Sequence, residues 1–222
     1  MSVRTLSEQL FEQHCETRGI ACQRIDEDGT KVADYSLQLA AREIVAEIKQ
    51  IDPNQNDLAR EARPPGTLVG MVVSPAPRVR NLLASAYRQI KPYAAKSIPG
   101  IVVCYNNAGF LTYIDNFTVT RAMLGGTAVR LALDQEGIIR RVGQQFTGGR
   151  TATRNTCRGL SAVCVLSTPS RGATKLVAYH NPYASNPIDP AELVSLANEQ
   201  YGYGHDPHGD PYTQLLAHRL EV

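Results

Sequence analysis

Two adjacent segments restrict the fold of this chain more than any others: Asp34-Tyr35-Ser36-Leu37-Gln38-Leu39 and Glu43-Ile44-Val45-Ala46-Glu47-Ile48-Lys49-Gln50. The first alternates cleanly, with Tyr35, Leu37 and Leu39 on one face; the second alternates less cleanly. Period two is the signature of a strand, in which residues i and i+2 share a face. Glu47 and Lys49 are therefore neighbours. If the strands form a hairpin around Ala40-Ala41, opposed residues have numbers summing to 81, and Asp34 faces Glu47. A four-residue loop gives 83 and sets Asp34 opposite Lys49. An even sum throws Asp34 to the other face.

The flanking segments predict an α/β chain. Thr5-x-x-Glu8 reads as a capping box opening a helix from Leu6 to Arg18, and Gly19 reads as its stop. Leu6, Leu10 and Cys15, with Phe11 and His14 beside them, form its apolar stripe. Ile20 to Ile25 reads as a short strand, residues 52–66 as a polar loop, and Leu68 to Val73 as another strand. Arg78 to about Lys91 predicts a helix ended or kinked by Pro92. Ile98 to Tyr105 is nearly continuous in apolar residues, as in a strand covered on both faces. Beyond it, a short helix is expected at Val119–Leu124 and strands at Thr127–Leu133, Leu160–Leu166 and Lys175–His180. Residues 143–159 read as a mobile basic loop, Ala191–Gln200 as a helix, and the tail from Tyr201 as irregular. The length of 222 residues favours a single domain, residues 1–222.

Net charge is only +2, but its distribution is uneven. Residues 1–61 hold 12 of the 21 acids, whereas residues 62–175 hold 15 basic residues and 3 acids. Within the latter, 137–175 has no acid and seven basic residues, Arg140, Arg141, Arg150, Arg154, Arg158, Arg171 and Lys175. Arginine forks suit phosphate, so a polyanionic partner, nucleic acid, is expected. No apolar run reaches the roughly 20 residues of a membrane helix, and the N-terminus has no apolar signal core. A cytoplasmic protein without a membrane partner is the expectation. Five cysteines with no C-x-x-C suggest neither a disulfide framework nor a zinc site.

Asp34, Glu47 and Lys49 are costly together as mere architecture. Adjacent carboxylates repel and raise each other's pKa unless a cation sits between them. Oxygen-liganded Mg²⁺ suits such a pair, can hold a phosphate oxygen, and acidifies water. The lysine can orient that water or neutralise developing charge.

Ala33-Asp34, twelve intervening residues, and Glu47-Ile48-Lys49 resemble the motif of the PD-(D/E)xK phosphodiesterases, the restriction-endonuclease-like superfamily. Ala33 stands where that motif has proline. The resemblance implies a core over residues 5–105 (helix, three-strand meander, helix, buried strand) and explains nothing after 105; residues 106–222 read as a C-terminal mixed α/β extension of unknown role. It implies metal ligation by Asp34, Glu47 and the main-chain carbonyl of Ile48, with Lys49 as catalytic lysine. It implies a Mg²⁺-dependent deoxyribonuclease, with Mn²⁺ as a substitute, an endonuclease rather than an exonuclease, that pairs as a homodimer. Some members carry an acid on the first helix near the metal; of Glu8, Glu12 and Glu16, Glu12 is the candidate, at the edge of the apolar stripe. Gln89-x-x-x-Tyr93 resembles a signature of nuclease domains joined to recombination helicases, making Gln89 and Lys91 candidate DNA or metal-shell contacts. Arg140, Arg141, Arg150, Arg154 and Arg158 are the candidate nucleic-acid-binding residues.

The alternative is a nucleic-acid-binding or assembly protein on the same fold that does not cleave. A more distant one is a small-molecule enzyme built around His180 or His205. Asp52-x-Asn54-x-Asn56 fails as a calcium loop, because Asp57 replaces the glycine and Arg63 the final glutamate.

Overall fold

The computed structural model describes residues 4–26, 32–40, 42–62, 75–109, 114–133, 138–168, 173–205 and 211–218. The strand expected at Leu68–Val73 lies outside them, as does Arg171. The described residues make a mixed α/β fold: one eight-stranded mixed sheet, a separate two-stranded ribbon and five helices.

The chain begins as its capping box requires. Helix α1 (Leu6–Thr17) starts at Thr5, whose Oγ1 accepts the Glu8 amide at 3.3 Å while the Glu8 carboxylate accepts the Thr5 amide at 2.7 Å. Gly19 leaves the helix at φ 66°, a left-handed conformation that lacks a Cβ penalty only for glycine. Strands β1 (Ala21–Arg24), β2 (Tyr35–Leu39) and β3 (Arg42–Ile51) follow as an antiparallel meander. The chain next forms α2 (Gln55–Glu61) and α3 (Ala76–Ala94), then returns as β4 (Gly100–Asn106) parallel to β3. Helix α4 (Asn116–Leu124) and the ribbon β5 (Gly126–Leu133) and β6 (Ile139–Thr147) lead to β7 (Leu160–Ser167), parallel to β4. Strand β8 (Lys175–His180), helix α5 (Pro190–Leu193), β9 (Glu199–His205) and β10 (Pro211–His218) complete the chain. Sheet order is β1-β2-β3-β4-β7-β8-β9-β10, so residues after 106 extend the same sheet that the first half begins.

Helices cover both faces of this sheet, which explains why β4 and β7 are apolar on both sides. On one face Phe11 and Cys15 of α1 and Leu193 of α5 pack on Leu37, Ile44, Ile101 and Ala162. On the other, Val79, Leu83, Ala86 and Ile90 of α3, with Val119 and Met123 of α4, pack on Val102, Cys104 and Val163. Helix α3 lies close: a Cβ on Gly100 would stand 2.2 Å from Ile90 Cγ2, so only glycine fits there. Register lines up Lys49, Cys104, Val165, Val177 and Glu199 in one row across the sheet. Glu47, Val102, Val163, Tyr179 and Tyr201 form the next.

Four expectations need correction. Helix α3 continues through Pro92 to Ala94. The missing proline N–H costs one hydrogen bond near a helix end, where packing of Ile90 holds the helix. Residues 143–147 belong to β6, and the loop after it is anchored: the Thr151 and Ala152 amides donate to Met123 O at 3.0 and 2.8 Å, and both residues are buried. The helix expected at Ala191–Gln200 ends at Leu193. Asn198 is committed to β8, its amide donating to Leu176 O at 2.8 Å and its Oδ1 accepting the Leu176 amide at 2.9 Å, which turns the chain into a strand. The tail from Tyr201 is not irregular; Tyr201 and Tyr203 alternate with Gly202 and Gly204 in β9, which pairs with β8 and β10.

Candidate active site

Strands β2 and β3 pair Tyr35 with Ala46, Leu37 with Ile44 and Leu39 with Arg42, so opposed numbers sum to 81. One step beyond Tyr35↔Ala46, Asp34 meets Glu47. The Asp34 carbonyl accepts the Ile25 amide at 2.9 Å, which fixes its backbone to the end of β1. Its Oδ2 accepts the Ile48 amide at 2.7 Å. A residue's N–H and C=O leave a strand toward the same side, so the Ile48 carbonyl also faces Asp34.

Ile44, Ala46 and Ile48 belong to the core under α1. By alternation Glu47 and Lys49 project to the α3 face, where Lys49 Nζ donates to Gln89 Oε1 at 3.4 Å. Gln89 Nε2 in turn donates to Val32 O at 3.2 Å, tying α3 to the chain entering β2. Lys49 Nζ is ion-paired with Glu47 Oε1. The Glu47 side chain is fully buried, with the Lys49 ammonium and the Asp34 carboxyl as its polar neighbours. Its charge is met by the Lys49 ammonium and opposed by Asp34.

Burial pushes the Glu47 carboxyl up to about 7, and the Asp34 carboxylate pushes the same way against Lys49. Asp34 is also raised, chiefly by burial; the Ile48 amide and Lys49 oppose the rise, and Glu8 adds to it. The α1 acid that acts on Asp34 is Glu8, whose own carboxylate accepts the Thr5 amide at 2.7 Å and pairs with Arg24 at 3.5 Å. Glu12 accepts from Tyr35 Oη at 2.8 Å and pairs with Arg4 at 3.2 Å. The contact of the Ser7 amide with Gln50 Oε1 at 3.0 Å sets the start of α1 beside the end of β3.

The remaining candidates are spread out. Gln89 is at the site; Lys91 is exposed on another side of α3. Arg140, Arg141, Arg150, Arg154 and Arg158 are exposed, and no described contact joins them to Asp34, Glu47 or Lys49. Arg154 lies within a turn closed by Thr153 Oγ1, which accepts the Asn155 and Thr156 amides at 3.1 and 3.0 Å. His180 Nε2 is bonded to Gln200 Oε1 at 2.9 Å and its pKa is lowered by burial. A cavity of about 420 Å³ at the ends of β4 and β7 is lined by Asn106, Asp115, Lys175, Glu199 and Tyr201, among others, and by none of Asp34, Glu47 and Lys49.

Among the described residues no cluster of three or more His, Cys, Asp and Glu side chains could hold a metal. Two carboxylates and the Ile48 carbonyl are the available donors. They are hard oxygen donors, and a buried carboxylate pair with one lysine beside it is a donor set that suits a small divalent cation. Among the described residues no helix is long and apolar enough to cross a membrane. No protein-family model, curated protein or solved structure matches the chain.

Proposed function

We propose that the chain is a Mg²⁺-dependent nuclease that hydrolyses phosphodiester bonds in DNA, built on a restriction-endonuclease-like core of α1, β1–β3, α3 and β4. The observation that carries this is the register of 81, which sets Asp34 against Glu47 and Lys49 with Glu47 fully buried. Two carboxyls so close together, one of them buried, are costly with a single lysine to balance them, and a bound cation would offset that cost.

Asp34, Glu47 and the Ile48 carbonyl would hold the metal. When bound, Mg²⁺ supplies Lewis acidity toward a phosphoryl oxygen and lowers the pKa of water. Ile48 N–H fixes Asp34 Oδ2, which leaves Oδ1 for ligation. Gln89 steadies Lys49, whose ammonium neutralises charge developing on the phosphate oxygens. The exposed arginines of residues 140–158 hold the phosphate backbone.

One observation favours the rival reading of a non-cleaving nucleic-acid-binding protein: Glu47 is already paired with Lys49. Incubation of the protein with plasmid and linear DNA in Mg²⁺, Mn²⁺ or EDTA, beside Glu47→Ala and Lys49→Ala, decides between them. Metal-dependent cutting lost in both variants supports the nuclease. Binding without cutting, unchanged in both, rejects it.

A further inference from the structure

The β5–β6 ribbon stands outside the main sheet and divides its residues sharply between its faces. Opposed residues in an antiparallel pair share a face. Val129, Leu131 and Leu133 lie opposite Gln144, Arg141 and Ile139. Ala128, Arg130 and Ala132 lie opposite Gln145, Gly143 and Arg140 on the reverse. One face is thus apolar and the other basic. The apolar face is open: Val129 is 51% exposed, Leu131 62%, Leu133 69% and Ile139 67%, with Val142 at 52% in the bulge beside them.

An isolated two-stranded ribbon is marginal in water, and a contiguous apolar patch marks an interface. We propose that this ribbon is a self-association arm, docking by its apolar face on the same face of a second copy of this chain.

Area and charge both point to that occupant. The five apolar side chains expose roughly 500 Å² per copy, so a two-fold pairing removes about 1,000 Å², the lower bound of a specific interface. The patch is mainly hydrocarbon, interrupted by Arg141 and Gln144, and an isologous contact needs a surface that can meet its own copy. Its one charged residue, Arg141, donates to Gln144 Oε1 at 3.1 Å and can lay its stem on the apolar surface. Apolar-to-apolar stacking sends Arg130 and Arg140 of both copies outward. Burying the reverse face would bring two arginines per copy together, against the one, Arg141, that the apolar face carries. The arm stands independently of the nuclease assignment, because it is read from mass and not from cleavage.

Sedimentation velocity of the full chain over a wide concentration range tests it, beside Leu131→Glu, the double variant Leu133→Thr/Ile139→Thr, and Arg130→Gln. The threonine variants keep strand propensity, so they decide the matter if the glutamate perturbs folding. The wild type and Arg130→Gln are expected to be dimers with unchanged circular dichroism. Leu131→Glu and the double variant should weaken the dimer by about 100-fold or more, since each change enters a two-fold interface twice. A wild type that stays monomeric overturns the proposal, as does a dimer indifferent to both apolar-face changes. So does a monomer that uses Leu131 to bind duplex DNA or anionic phospholipid vesicles.

Discussion

The Asp34 carboxylate accepts the main-chain amide of Ile48 at 2.7 Å, so one strand's side chain closes the last rung that the other strand's backbone leaves open. This bond makes the site a continuation of the β2–β3 ladder.

Replacing Asp34 by asparagine separates charge from structure. An amide oxygen can still accept from Ile48, so the melting temperature should stay within a few degrees of wild type. The negative charge is gone, and metal-dependent cleavage should fall by at least about 100-fold. Asp34→Ala, which loses the bond as well, should cost about 1 kcal/mol more in stability by urea titration.

The raised Glu47 carboxyl has a consequence for stability. Its ordinary value is 4.5 and its folded value is about 7, so between these limits the folded chain binds more protons than the unfolded chain. Stability of the metal-free protein is therefore greatest below pH 4.5 as far as this group is concerned, and it falls as pH rises through 7. The contribution is on the order of 3 kcal/mol. Denaturant melts of wild type and Glu47→Gln in EDTA, from pH 5 to 8, should show the variant gaining on the wild type as pH rises. Parallel curves would reject this.

Magnesium should reverse that trend. A cation bound only by the folded form stabilises it by about 2.7 kcal/mol at a hundred times its dissociation constant. Thermal melts at pH 8 should shift upward with Mg²⁺ in the wild type and remain still in Glu47→Gln and Asp34→Asn.

In the proposed nuclease, Gln89 would act through Lys49, as a positioning residue. Gln89→Ala removes its contacts with Lys49 and with the Val32 carbonyl. The expected result is a fall in kcat of roughly 10-fold with little change in KM. Gln89→Glu, which keeps an oxygen acceptor for the Lys49 ammonium, should retain more activity than Gln89→Ala.

Gly100→Ala should destabilise the chain by about 1–3 kcal/mol, because the new methyl meets Ile90 Cγ2. Combination with Ile90→Ala should cost less than the sum of the two single changes, measured by the same denaturant melts.

The hairpin was legible because its signal is local. Tyr35, Leu37 and Leu39 fix one face, and the sequence leaves sums of 81 and 83 open, both of which put Asp34 on the face of Glu47 and Lys49; the structure has 81. Helix α1 was legible through its capping box, and β4 through its unbroken apolar run. What failed depended on partners distant in sequence. Ala191–Gln200 carries residues compatible with a helix, and only the pairing of Asn198 with Leu176 redirects it. Glycines in β9 hid its period-two pattern, since Gly202 and Gly204 give no polarity to read. Glu12 was preferred over Glu8 because nothing in the helix itself reports that Ser7 meets Gln50. The exposed apolar face of the ribbon was also hidden, because a strand's hydrophobic side is ordinarily its buried side.

The parallel pairing of Glu47 with Val102 bears on the order in which the molecule is made. Asp34, Glu47 and Lys49 leave the ribosome within one short stretch and can meet in a hairpin within microseconds. Strand β4 does not yet exist at that moment, so Glu47 is still in water and ionised. It is sealed, and its proton affinity raised, only when a segment some fifty residues younger slides in beside β3 and α3 closes over it. Burial of Glu47 therefore depends on a strand that lies later in the chain than the hairpin carrying it, so the hairpin alone does not make the site.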